Sequence, residues 1–117
     1  MYYQERISQN EPFYINLFIS ADITIFVETE RTNFKEIETK VANIIRNIPI
    51  KLDQRIVYRI FADENLKLGY IMDVNQEMLS GYGDKVQTLR YLLNTVELNI
   101  DGRNWFKSID MQKLKKI

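Results

Sequence analysis

Residues 13–28 read FYINLFISADITIFVE. Every odd position is apolar: Phe13, Ile15, Leu17, Ile19, Ala21, Ile23, Ile25 and Val27. The even positions are Tyr14, Asn16, Phe18, Ser20, Asp22, Thr24, Phe26 and Glu28. Alternation with a period of two means β structure with one face buried. As one strand the run would span roughly 50 Å at about 3.3 Å per residue, too long for a domain of 117 residues. A hairpin is therefore expected, with a bent, bulged single strand as the alternative. A loop at Ser20-Ala21-Asp22 pairs Ile19 with Ile23, Leu17 with Ile25 and Ile15 with Val27, and keeps one face apolar. Asp22 tolerates the left-handed conformation that such a loop needs. Phe18 and Phe26 then fall on the face that should be wet.

The next segment reads as a helix from Asn33, whose side chain can cap it, with Glu36 three residues on. Phe34, Ile37, Val41, Ile44, Ile45 and Ile48 share one helical face, and Pro49 ends the helix. Arg55 to Ala62 and Leu66 to Val74 read as a second hairpin about the loop Asp63-Glu64-Asn65. Asp84 can cap a second helix carrying Val86, Leu89, Leu92, Leu93 and Val96 inward. Asp101-Gly102 signals a tight turn, which either joins a short hairpin pairing Leu98 with Trp105 or ends the helix before a single strand at Asn104 to Lys107. From Ser108 a short basic amphipathic helix presents Met111, Leu114 and Ile117. Residues 1–12 form a polar N-terminal arm, and residues 13–117 a single α+β domain. The expected architecture is an antiparallel sheet of four to five strands, made of two hairpins and a C-terminal strand, with two main helices on one face.

Composition narrows the chemistry. Hydrophobic residues make up 45% and charged residues 27%, the balance of a globular chain. With no cysteine there is no disulfide and no thiolate ligand, and with no histidine the commonest general base is missing. The net charge is zero, so no global field draws in nucleic acid or a membrane. No stretch is long and apolar enough to cross a bilayer, and Met1 to Gln9 does not resemble a signal peptide. These features lead to the expectation of a cytoplasmic protein that needs no cofactor or metal. The abundance of Ile, Asn and Lys suggests an AT-rich genome, an association shared by many phage and mobile-element proteins.

Several candidate sites stand out. Ser80 to Lys85 carries two glycines but matches no phosphate-binding fingerprint. Glu28, Glu30, Glu36 and Glu38 read as a solvated rim. The C-terminal segment interleaves Arg103, Trp105, Phe106 and Lys107 with Lys113, Lys115 and Lys116. Against Asp110 these five cations give the segment a charge of +4. Such a set can stack bases and neutralise phosphates, or it can pack Trp105 inward and leave the lysines in solvent. Arg55 and Arg59 would add to the nucleic-acid case if they lie on an uncovered sheet face. Tyr14, Phe18 and Phe26 form an aromatic set on the nominally exposed strand face, the pattern of a protein interface unless the chain's own ends cover it. The expected function is a small non-enzymatic binding module, regulatory or inhibitory, acting through protein–protein contact and self-association. A nucleic-acid-binding regulator using the basic aromatic tail is the alternative.

Overall fold

The computed structural model describes residues 11–47, 54–83, 85–98 and 102–117. Its strands are β1 (Phe13–Ile19), β2 (Ile25–Val27), β3 (Glu30–Thr32), β4 (Ile56–Asp63), β5 (Gln87–Leu93) and β6 (Lys115–Lys116). Its helices are α1 (Ile37–Asn47), entered through a 3-10 turn at Phe34–Glu36, and α2 (Leu68–Ser80). The six strands form one mixed sheet in the order β3-β2-β1-β4-β5-β6. β1, β4 and β5 run parallel, and the other pairs are antiparallel.

The alternating run is a hairpin, two residues out of the expected register. Leu17 faces Val27, Phe18 faces Phe26 and Ile19 faces Ile25. The connecting loop is Ser20 to Thr24, so the faces keep their parity while the turn grows. Asp22 acts through its side chain. Its carboxylate accepts hydrogen bonds from the hydroxyls of Ser20 and Thr24. Ile23, not Asp22, takes the left-handed backbone, at φ 66°. That conformation is strained for a β-branched residue.

One face of the sheet packs on both helices. Ile15, Leu17, Ile19, Tyr58, Ile60 and Ala62 meet Ile37 and Val41 of α1 and Ile71, Val74 and Met78 of α2. Asn33 caps the first helical turn as its spacing predicts, accepting from the Glu36 N–H at 3.1 Å. Gly81 follows α2 so closely against α1 that a Cβ there would lie 2.8 Å from the Glu38 carbonyl oxygen.

Two segments differ from the sequence reading. Leu66 to Val74 is not the second arm of a hairpin; from Leu68 it is helical and continues to Ser80. The buried positions Ile71, Val74, Asn75 and Met78 follow a helical repeat whose third member is polar. Asn75 is tolerated there because its amide donates to the Thr88 hydroxyl at 3.1 Å and its carbonyl accepts from Arg90 at 3.0 Å. Conversely, the expected helix from Asp84, ending between Asn94 and Asn99, is instead strand β5 at Gln87–Leu93 followed by a 3-10 turn at Thr95–Glu97; Asp84 itself lies outside the described residues. β5 turns Leu92 to the helix side and Leu93 to the other, so its apolar residues show no period of two. The parallel pairing of β4 with β1 and β5 replaces the all-antiparallel sheet.

The second face carries its own apolar layer. Phe18, Phe26, Phe61 and Leu93 are covered by Trp105, with Tyr91, Leu98, Ile109 and Leu114 around them. The cover is the segment from Gly102 to Ile117. It is neither the expected strand at Asn104 to Lys107 nor an α-helix from Ser108. Residues Gly102–Ser108 and Met111–Lys113 form 3-10 turns, and Lys115–Lys116 pairs with Tyr91 and Leu92 as β6. The open backbone edge of β5 draws the chain out: the Ile117 N–H donates to the Arg90 carbonyl at 2.9 Å. Asp101 and residues 1–10, where a tight turn and most of the arm were expected, lie outside the described residues.

Candidate binding cleft

The parallel strands β1, β4 and β5 end together, and three connections meet there. Asp63, fully buried at the end of β4, accepts from the Thr95 N–H at 3.0 Å and the Thr95 hydroxyl at 2.7 Å. It also accepts from the Asn65 N–H at 2.9 Å. Thr95 Oγ1 in turn accepts from the Ala21 N–H at 3.0 Å. One carboxylate thus fixes the 3-10 turn Thr95–Glu97 against the Ser20–Thr24 loop. Burial raises the Asp63 pKa, but the hydrogen bonds from Thr95 and Asn65 outweigh it and hold the carboxyl below its ordinary value.

Between that loop and that turn opens a cleft of about 610 Å³. Phe18 and Phe26 form its floor, Leu98 and Val96 one wall, and Ser20, Asp22, Thr24 and Arg31 the rim. Val96 is 75% exposed. Asp22 is held below the ordinary carboxylate range by the Ser20 hydroxyl and then by Thr24, so the rim keeps a negative charge beside Arg31. The Arg31 side chain is exposed, with no hydrogen bond or ion pair among the described residues. A shallow apolar floor with a few polar groups at its edge is the usual form of a binding site.

No known protein family, characterised protein or solved structure matches this chain. The site must therefore be read from its own residues.

The aromatic set on β1 and β2 divides. Phe18 is fully buried and Phe26 is 9% exposed, both beneath Trp105. They form no open patch, although both line the cleft. Tyr14 stays at the surface, its ring under the Arg59 guanidinium. In the tail, Trp105 is 1% exposed, stacked on Phe18 at 5.1 Å, and its indole N–H donates to the Glu28 carbonyl at 2.7 Å. That removes it as a stacking residue for bases. Lys107, Lys113, Lys115 and Lys116 are exposed, and the Arg103 side chain lies outside the described residues. Arg59 lies on the second sheet face, whereas Arg55 is exposed ahead of β4.

The remaining candidates resolve into structure. Gly81 and Gly83 lead into a strand, so no helix start follows them. Glu30 pairs with Lys40 at 2.7 Å. Glu28 is half-buried in the β2–β3 turn, where burial pushes its pKa up against the opposing hydrogen bonds from Asn16 and the charge of Arg59. Among the described residues, no three Asp or Glu side chains gather as metal ligands. Val96, which the helical spacing predicts to point inward, is instead 75% exposed, and Thr95 and Leu98 carry no site signal in the sequence, because the segment is a 3-10 turn and not a helix end. The sequence places Asp63 in a turn, and its burial has no local signature.

Proposed function

We propose that the chain is a non-enzymatic binding module that holds an extended segment of a protein partner in the cleft over Phe18 and Phe26. The observation that carries this is Val96. It stands 75% exposed on a cleft whose other apolar lining is Leu98, Phe26 at 9% exposed and, fully buried behind them, Phe18. A lone exposed valine needs no explanation, but one on the wall of a concave cleft lined by further apolar residues marks an interaction surface. Covering it with an apolar side chain of the partner would contribute about 1.5–3 kcal/mol per buried side chain. Arg31 supplies an unspent donor at the rim for an acidic or carbonyl group. A second copy of the chain is the homotypic case.

The test is affinity capture from the native host with mass spectrometry, on untreated and nuclease-treated samples, with the wild-type chain and Val96→Glu. Val96 is exposed, so the variant keeps the fold. The proposal expects a protein that survives nuclease treatment and is lost with Val96→Glu. Retention by the variant would remove the cleft from the interaction. Loss on nuclease treatment alone would favour nucleic-acid binding through Lys107, Lys113, Lys115 and Lys116.

A further inference from the structure

A second feature lies outside the cleft, on the same sheet face but nearer the amino end of β1. The register places Asn16 beside Arg59, one row away from Phe18 and Phe61. The Arg59 Nε–H donates to Asn16 Oδ1 at 2.7 Å. Its guanidinium carbon lies over the Tyr14 ring at 4.0 Å and over the Phe106 ring at 5.4 Å. Both rings are partly open to solvent, Tyr14 at 37% and Phe106 at 40%. Asn16 is itself fixed, since its backbone N–H donates to Glu28 Oε1 at 2.8 Å.

The guanidinium is thus oriented; it feels the charge of Glu28, which Asn16 also binds, but it is not directly paired. Among the described residues, no carboxylate oxygen lies within 4.0 Å of it, and the Nε–H is its one hydrogen bond. Among the described residues, the two Nη groups, four N–H donors in a fixed plane, have no protein acceptor. A half-buried cation held this way lacks an acceptor that is planar, anionic and bidentate. A carboxylate in the plane of the fork meets that description. A tetrahedral phosphate fits less well, because its out-of-plane oxygens would turn toward the electron-rich faces of Tyr14 and Phe106.

We propose that Arg59, oriented by Asn16 and flanked by Tyr14 and Phe106, is a binding site for a carboxylate. Arg59 is the binding residue and Asn16 a positioning residue. The site is separate from the cleft and does not depend on what the cleft holds.

The test uses the full chain, following the Nε–Hε resonance of each arginine by NMR. Sodium acetate is titrated in at constant ionic strength, with sodium phosphate and sodium chloride in parallel. A peptide carrying one glutamate, N-acetyl-Ala-Glu-Ala-amide, distinguishes a carboxylate on a polypeptide from a free acid. The proposal expects a saturable shift at Arg59 with acetate and with the peptide. Chloride should give none, and phosphate should bind more weakly than acetate. Tighter binding of the peptide would assign the site to a polypeptide, and equal binding to a small acid. Arg59→Lys, which keeps the charge and loses the fork, should weaken acetate binding about tenfold, as should Asn16→Ala with Arg59 intact. Backbone spectra of both variants report whether the fold is kept. Equal response to acetate and chloride, saturation by phosphate alone, or unchanged affinity in folded Arg59→Lys would each overturn the proposal.

Discussion

Replacing Trp105 tests the layer on which the cleft rests. Its indole is 1% exposed, with ring centroids 5.1 Å from Phe18, 5.6 Å from Phe61 and 5.4 Å from Phe106. Trp105→Ala removes the whole ring and uncovers Phe18 and Phe61, so the expected loss is about 3–5 kcal/mol. Trp105→Phe keeps an aromatic ring but leaves the Glu28 carbonyl, now bonded at 2.7 Å, without its donor. The expected loss there is about 1–3 kcal/mol. Against a total of about 5–15 kcal/mol for an ordinary domain, the alanine variant sits near the threshold of folding. Urea unfolding followed by circular dichroism measures both variants. For the wild type, Trp105 is the only tryptophan, so its fluorescence reports the layer directly. If the segment from Gly102 to Ile117 detaches in the alanine variant, the urea slope also falls, because the native state already exposes area. A loss below about 1 kcal/mol for Trp105→Ala, the size of an ordinary surface change, would refute the layer.

Other expectations follow from the same contacts. Asp63 has a folded pKa below its unfolded one, so it contributes stability above about pH 4 that is lost as pH falls through the folded value. Thr95→Val should therefore cost about 1–3 kcal/mol at neutral pH, with the gap to wild type narrowing in acid; urea midpoints across pH measure it. Glu28 has the opposite sign: its pKa is raised, so its charge costs stability as pH rises through the folded value. Glu28→Gln should keep the acceptor for the Asn16 N–H and raise the neutral-pH midpoint relative to wild type, while the two converge in acid. Gly81→Ala places a Cβ 2.8 Å from the Glu38 carbonyl and should cost about 1–3 kcal/mol, whereas Gly83→Ala meets nothing within 4 Å and should change the thermal midpoint little. Replacing Lys113, Lys115 and Lys116 with Gln should leave the captured protein partner unchanged; a salt-dependent loss of DNA or RNA binding would support the other reading.

What could be read from the sequence was set by how locally each choice is made. The β1–β2 hairpin and the capped α1 depend on neighbours in sequence, and both are found. The turn grew by two residues because the Asp22 carboxylate gathers Ser20 and Thr24 around itself, which no pairing rule contains. The exchanged identities of Leu66–Val74 and Val86–Val96 have a tertiary origin. Asn75 interrupts the apolar stripe of α2 and is satisfied only by Thr88 and Arg90 across the interface. β5 carries Leu92 to the helix side beside the polar Thr88 and Arg90, and Tyr91 and Leu93 to the Trp105 side, so its apolar residues fall on both faces. Phe18 and Phe26 are visible as an anomaly on a wet face, but their cover, Trp105, lies about eighty to ninety positions away. The cleft was hidden for the same reason: it exists only where Ser20–Thr24 and Thr95–Leu98 are joined through Asp63.

The most direct measurement on the binding proposal is site-specific photo-crosslinking in the native host. A benzophenone amino acid is placed at Val96, on the cleft wall, or at Tyr82, 59% exposed beyond the end of α2. The cleft reading predicts a covalent protein adduct from position 96 and none from position 82. No adduct from position 96, or equal adducts from both, would contradict it.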